Sequence, residues 1–182
     1  PFFETEGERA SLQSLTWGRK SDWIPTFCGT AGSLAVEGML LAPVGERGFL
    51  YQLTVRSTSD KPLSSTFGLE GCWASAWHCV NEDKEIDGAR RCYTSLWNDS
   101  LIFDMRCGLP LFAFAPMMDQ PCSSTFQETD AGIVYRLAHA CTLEPGEAVT
   151  VTFYWGVGFE EVAAATSAKE MLRQGWQHEL QV

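Results

Sequence analysis

The sequence predicts a mainly β chain, an antiparallel β-sandwich followed by a C-terminal amphipathic α-helix. Three observations carry this. Side-chain polarity alternates with period two through most of residues 1–158, clusters of Gly, Pro, Asp and Ser interrupt the alternation, and the period changes to three and four only after Gly158. About ten short strands and then one helix is the order of a sandwich rather than of repeated strand–helix units. With 182 residues, 45% hydrophobic and 20% charged, the chain has the length for one domain with a substantial core. The expected layout is a β-sandwich over 1–158 and a helix over 159–182 leading to a domain outside this chain.

Ser33 to Leu41 reads as a strand, with Leu34, Val36 and Gly38 on one face and Ala35, Glu37 and Met39 on the other. Phe49 to Ser57 alternates Phe49, Tyr51, Leu53 and Val55 against Leu50, Gln52, Thr54 and Arg56, so one face is wholly apolar and the other turns polar along its length. The Pro- and Gly-bearing segment 42–48 between them suits a hairpin loop. Gly29 to Ser33 reads as a flexible turn feeding the first of these strands. Ser64 to Glu70 is extended. Cys72 to Val80 alternates without a clean polar face, as a strand or a short helix would. Asn81 to Arg91 carries seven charges and reads as a long exposed loop. Leu101 to Arg106 and Leu111 to Ala115 are short β-prone runs, and Asp119 to Gly132 is polar and turn-rich.

Ile133 to Leu143 and Ala148 to Val157 read as two strands of a hairpin, joined by Glu144-Pro145-Gly146-Glu147 with Pro and Gly where a type II turn requires them. Phe159 to Leu180 then repeats Val162, Ala165, Leu172, Trp176 and Leu180 at helical spacing, interrupted only by Gly175. Its apolar stripe needs a cover, which is either the sandwich itself or something past Val182.

Thirteen Lys and Arg against twenty-three Asp and Glu give a net charge of −10. No basic run offers the counterion release that drives nucleic-acid binding, so nucleic acid and anionic membrane are excluded as partners. The longest apolar run, Leu109 to Met118, holds two prolines and falls short of the roughly 20 residues of a membrane span. The chain opens on Pro1 with no leader pattern and reads as a piece of a longer or processed protein. Seven cysteines, an odd number spread evenly, fit a reducing cytoplasm better than a disulfide scaffold, although the Asn98-Asp99-Ser100 sequon points to secretion.

His78, His139 and His178 lie far apart without a nucleophile motif, and no Cys-x-x-Cys occurs. A mixed site of His78, Cys79, His139 and Cys141 with Cys72 or Cys92 lacks zinc-ligand spacing, so no metal or other cofactor is expected. Glu70, Glu82, Asp83, Glu85, Asp99 and Asp104 could supply the paired carboxylates of glycoside hydrolysis, but surface charge is their default reading and no catalytic residue is assigned. The aromatics say more. Trp73, Trp77, Tyr93 and Trp97 flank the charged loop, with Asn98 and Asp99 nearby, and Trp beside planar polar groups is the chemistry that grips sugar rings. Trp73, Trp77, Trp97 and Asp99 are therefore the candidate carbohydrate-binding residues. Trp73 and Trp77, four apart on one strand, would equally serve to fill the core.

Leu34-Ala35-Val36-Glu37-Gly38-Met39-Leu40-Leu41-Ala42-Pro43, Phe49 to Ser59, the run Leu143-Glu144-Pro145-Gly146-Glu147-Ala148-Val149-Thr150-Val151-Thr152-Phe153 and the alanine-rich helix together resemble one family. They are similar to the N-terminal β-sandwich of carbohydrate-active enzymes whose catalytic part is an (α/α)6 barrel, among them disaccharide phosphorylases and inverting glycosidases. The resemblance implies a non-catalytic domain that packs on a C-terminal barrel of the same polypeptide, shapes its substrate entrance and leaves the catalytic carboxylates to the barrel. Two other roles fit the same architecture, a free-standing sugar-binding module and a protein-binding adhesion or assembly sandwich.

Overall fold

Alternation lets a strand bury one row of side chains and display the other, and in the central strands of this chain both rows are buried. The computed structural model describes residues 1–74, 77–79, 83–85, 89–96, 100–106 and 112–180. In order these form β1 (Phe2–Thr5), β2 (Glu8–Ala10), β3 (Leu12–Lys20), β4 (Ile24–Ala31), β5 (Leu34–Leu41), β6 (Gly48–Ser57), β7 (Leu63–Trp73) and β8 (Trp77–Cys79). There follow β9 (Asp83–Glu85), β10 (Ala89–Thr94), β11 (Leu101–Arg106), β12 (Phe112–Met118), β13 (Ser123–Thr129), β14 (Gly132–Leu143) and β15 (Ala148–Gly158), then α1 (Glu161–Gln174) and α2 (Trp176–Glu179). All pairings are antiparallel. One sheet runs β13-β14-β7-β1-β2, a larger one runs β10-β11-β12-β15-β6-β5-β4-β3, and β8-β9 is a separate ribbon.

The two large sheets face each other across the main core, where Phe3, Phe67 and Leu137 of the smaller meet Val36, Leu53, Val151 and Phe153 of the larger. Against the opposite face of the larger sheet lies α1, whose Met171 joins Met39, Leu41, Leu50 and Tyr154, while Ala164 and Ala165 join Ile102, Ala113 and Ala115. The molecule is thus three layers, sheet on sheet on helix, and the stripe of α1 is spent on the sandwich itself. Leu50 and Tyr154 lie under the helix, whereas Gln52, Thr54, Thr150 and Thr152 on the same face lie past its footprint and hydrogen-bond one another. Thr54 and Thr150 share a bond of 2.8 Å, and Gln52 Nε2 donates to Thr152 Oγ1 at 3.3 Å. The point where a face of β6 turns polar in sequence marks the rim of the helix.

Close approach of α1 requires glycine beneath it. A Cβ on Gly156 would stand 1.9 Å from the Ala164 carbonyl oxygen, and one on Gly158 would stand 2.6 Å from Ala163 Cβ. The helix starts near the far edge of the sheet, where the Glu161 carboxylate accepts bonds from Tyr93 Oη at 3.1 Å and from Ser95 Oγ. It stops at Gly175, which has φ +82° and donates its N–H to the Met171 carbonyl.

Several expectations change. The strands at 133–143 and 148–157 exist but make no hairpin: β14 pairs with β7 and β13, and β15 with β6 and β12. The turn is as expected, with Gly146 at φ +75° and Glu147 N–H donating to the Glu144 carbonyl at 2.9 Å, yet it carries the chain from one sheet to the other. Both strands have an apolar row, and these rows meet face to face instead of side by side. The segment 119–132 holds β13, paired with β14 over seven residues; its side chains are nearly all exposed and polar, so backbone pairing alone identifies it. Residues 72–80 are not one strand, since β7 ends at Trp73 and Trp77 begins the ribbon with β9, which itself lies inside the segment expected as loop. Gly29 to Ala31 belong to β4, and the turn is confined to Gly32, at φ +58°, and Ser33. At the rim, β3 is exposed along almost its whole length and bulges between Gln13 and Thr16.

Candidate functional site

Trp73 ends β7 opposite Ile133 of β14, at one end of the space between the sheets. Its ring lies 5.4 Å from that of Phe103, tilted by 57°, and 6.0 Å from Phe114, edge to face. Phe103 and Trp155 from the larger sheet and Tyr135 from the smaller complete the cluster, with centroid separations of 5.0 to 6.0 Å. Such tilted pairs are the favoured arrangement of quadrupolar rings. These five rings and Cys72 line a cavity of about 260 Å³. A second, more polar cavity of about 360 Å³ shares Trp73 and is lined by Arg90, Glu128, Asp130 and Ile133 among others. Burial raises the Tyr135 hydroxyl above the ordinary phenol range, so at neutral pH it is a neutral donor.

Of the residues picked out from sequence, Trp73 takes a wall of this cleft. Trp77 stands opposite Glu85 in the separate ribbon, so it shares no strand face with Trp73. Trp97 and Asp99 lie outside the described residues. Sequence reading missed Arg90, Phe103, Phe114, Glu128, Tyr135 and Trp155 as neighbours of Trp73. They come from six strands distributed over both sheets, and no local spacing unites them. A third concavity, about 360 Å³, lies on the larger sheet beyond the helix, among Thr16, Lys20, Thr26, Glu37, Gln52 and Thr54.

The candidate acids are tied to arginines. The Arg9 guanidinium hydrogen-bonds Glu70 and holds its carboxyl below the usual carboxylate range. Arg91 Nη2 donates to Asp104 Oδ2 at 2.6 Å. Glu70 is on β7 and Asp104 on β11, in different sheets, and neither environment resembles the apolar pocket that keeps a catalytic acid protonated. Glu82 and Asp99 lie outside the described residues, as do the side chains of Asp83 and Glu85. Among the described residues, no three His, Cys, Asp or Glu side chains gather as metal ligands. His139 is buried, donates from Nδ1 to the Pro121 carbonyl at 2.8 Å and packs edge-on against Phe67. Cys28, Cys72, Cys92, Cys122 and Cys141 are free thiols; burial pushes Cys92 up to about 12 and Cys122 up to about 11. Among the described residues no helix is long and apolar enough to cross a membrane.

The whole arrangement has counterparts among solved structures. A putative kojibiose phosphorylase from the human microbiome matches with a TM-score of 0.66 and 11% identity, over 99% of this chain and 26% of that one. A bacterial glucoamylase complexed with acarbose matches with a TM-score of 0.56 and 8% identity, over 93% of this chain and 27% of its own. The fold is that of the β-sandwich in such enzymes. A polysaccharide lyase matches at a TM-score of 0.50 and 8% identity, over 80% of this chain and 23% of that one. At these identities the likeness is one of fold, and the chain spans about a quarter of each neighbour's length. No protein-family model and no curated protein matches the sequence.

Proposed function

We propose that this chain is the non-catalytic β-sandwich of a larger carbohydrate-active enzyme, a glycoside hydrolase or phosphorylase, in which it packs on a C-terminal (α/α)6 barrel and helps shape the substrate entrance. The observation that carries this reading is the match of 99% of the chain to 26% of a putative phosphorylase, a whole sandwich corresponding to a minor part of an enzyme. The pairing of Glu70 and Asp104 with arginines supports placing the chemistry elsewhere. On this reading α1 and α2, seated on the larger sheet, lead the chain toward the barrel. Incubating the purified chain with maltose, kojibiose and maltooligosaccharides, with and without inorganic phosphate, tests the assignment. No release of glucose or glucose phosphate is expected, and turnover abolished by substituting a carboxylate of this chain would overturn it.

A further inference from the structure

We propose that a segment of the larger enzyme, from outside residues 1–182, adds a strand beside β7 and closes one open end of the sandwich. The smaller sheet is stepped. On one side, β7 and β14 pair all the way from Leu63 opposite Leu143 to Trp73 opposite Ile133. On the other side, β1 begins at Phe2, opposite Gly68, and β2 goes no further than Ala10, opposite Phe3. Among the described residues, therefore, no strand pairs with that side of β7 from Leu69 to Trp73. This stretch belongs to the middle strand of the sheet and not to its rim. Backbone N–H and C=O groups left unpaired at such a place are a template for another strand.

The layer opposite is bare at the same end. A Cβ on Gly32, in the turn from β4 to β5, would stand 3.4 Å from both Ala10 Cβ and Thr5 Oγ1, so β1 and β2 cover that end of β4 and β5. Toward the other end the cover runs out. Trp155 on β15, 6.0 Å from the Tyr135 ring of the smaller sheet, is only 7% exposed. Phe49 on β6, opposite Trp155 and stacked on it at 5.7 Å, is half-buried, as is Tyr51. Leu40 on β5, opposite Tyr51, is 40% exposed. Trp17 on β3, which meets the core ring of Phe27 at 5.5 Å, is 67% exposed. Exposure of the inward-facing apolar side chains thus climbs strand by strand where β1 and β2 have stopped. An extended segment satisfies both surfaces: its backbone continues the ladder that β1 makes with β7, and its alternate apolar side chains cover Phe49, Tyr51 and Leu40. Its source follows from length. The matched enzymes have about three quarters of their chains outside the match, and a segment of the same polypeptide is held at high effective concentration, so even a short strand can pair. The choice of source rests on the proposed role as one domain of a larger enzyme; the free edge and the bare floor do not.

Hydrogen–deuterium exchange over residues 69–73, compared between the isolated chain and the full-length enzyme, tests the added strand without any variant. Slowing of at least about tenfold is expected in the full-length enzyme, with residues 65–68, already paired on both sides, unchanged. Leu40→Lys should leave the unfolding midpoint of the isolated chain nearly unchanged, since this side chain is already part-exposed, and should restore fast exchange at 69–73 in the full-length enzyme. A photoreactive p-benzoylphenylalanine at position 40 should crosslink to a residue of the same polypeptide outside 1–182. Equal exchange of 69–73 in the two forms, full protection retained in Leu40→Lys, or crosslinks confined to 1–182 or made to a second polypeptide would each overturn the proposal. Sugar turnover by the isolated chain would refute the non-catalytic reading and leave the exchange result standing, whereas equal exchange leaves the lack of turnover untouched, so the two readings fail separately.

Discussion

Replacing Gly156 with alanine tests whether α1 is seated on β15 as described. The added methyl would fall 1.9 Å from the Ala164 carbonyl oxygen and 2.5 Å from the Ala168 nitrogen, both backbone atoms that cannot rotate aside. Comfortable heavy-atom contact is about 3.5 Å, so the helix would have to lift by about 1.5 Å. That displacement would loosen Ala164, Ala165, Ala168 and Met171, all fully buried. Overpacking of this kind costs about 3 kcal/mol, near the top of its usual range. For a chain of this size such a loss lowers Tm by about 6–12 °C. Gly146→Ala is the comparison: Gly146 has φ +75° and nothing within 4 Å of a Cβ, so only backbone strain of about 1 kcal/mol applies. Urea unfolding followed by tryptophan fluorescence and circular dichroism measures both. Equal midpoints for the two variants would refute the steric argument, because the surroundings of the two glycines would then not matter.

Two further outcomes follow from the titrating groups. Cys92, its thiol held up near 12 by burial, should resist iodoacetamide in the native protein at pH 8, while exposed Cys28 and Cys72 are alkylated. Peptide mapping by mass spectrometry reads this, and native labelling of Cys92 at the rate of Cys28 would show that its side of the core opens. The carboxyl of Glu70 is depressed below 4.5 in the folded chain, so its contribution is present above that pH and lost as pH falls through the folded value. The pair with Arg9 is partly exposed, which limits the effect to about 0.5 kcal/mol. Glu70→Gln should therefore lower stability slightly at pH 7, by an amount that shrinks as the pH falls through the acid range, and a loss that does not change with pH, measured by urea unfolding, would contradict the electrostatic origin.

The readable parts of the sequence were those where one row of side chains meets a core. Phe49 to Ser57 and Ala148 to Val157 alternate because their inward rows face the smaller sheet, and the α1 stripe repeats because it lies on the larger one. Illegible were features set by partners distant in the chain. The polar strand β13 is held by backbone bonds to β14, which leave no apolar signature. The Glu144–Glu147 turn looks the same whether the strands it joins lie side by side or in opposite sheets, since turn chemistry is local. Trp73 was visible as a candidate, but its companions in the cleft, Arg90, Phe103, Glu128 and Trp155, are assembled only by the register of both sheets. The grouping of Trp73 with Trp77 failed because β7 ends between them.

The strand β15 answers to two interiors at once. Val151, Phe153 and Trp155 point one way, Tyr154 and the glycines beneath the helix the other, and nearly every residue from Val151 to Gly158 is buried. Extra volume there has no free side to escape to, so a change aimed at either layer is felt by its neighbour across the strand. Freedom to vary belongs instead to the rims, β3 and β13, where most side chains are exposed to water.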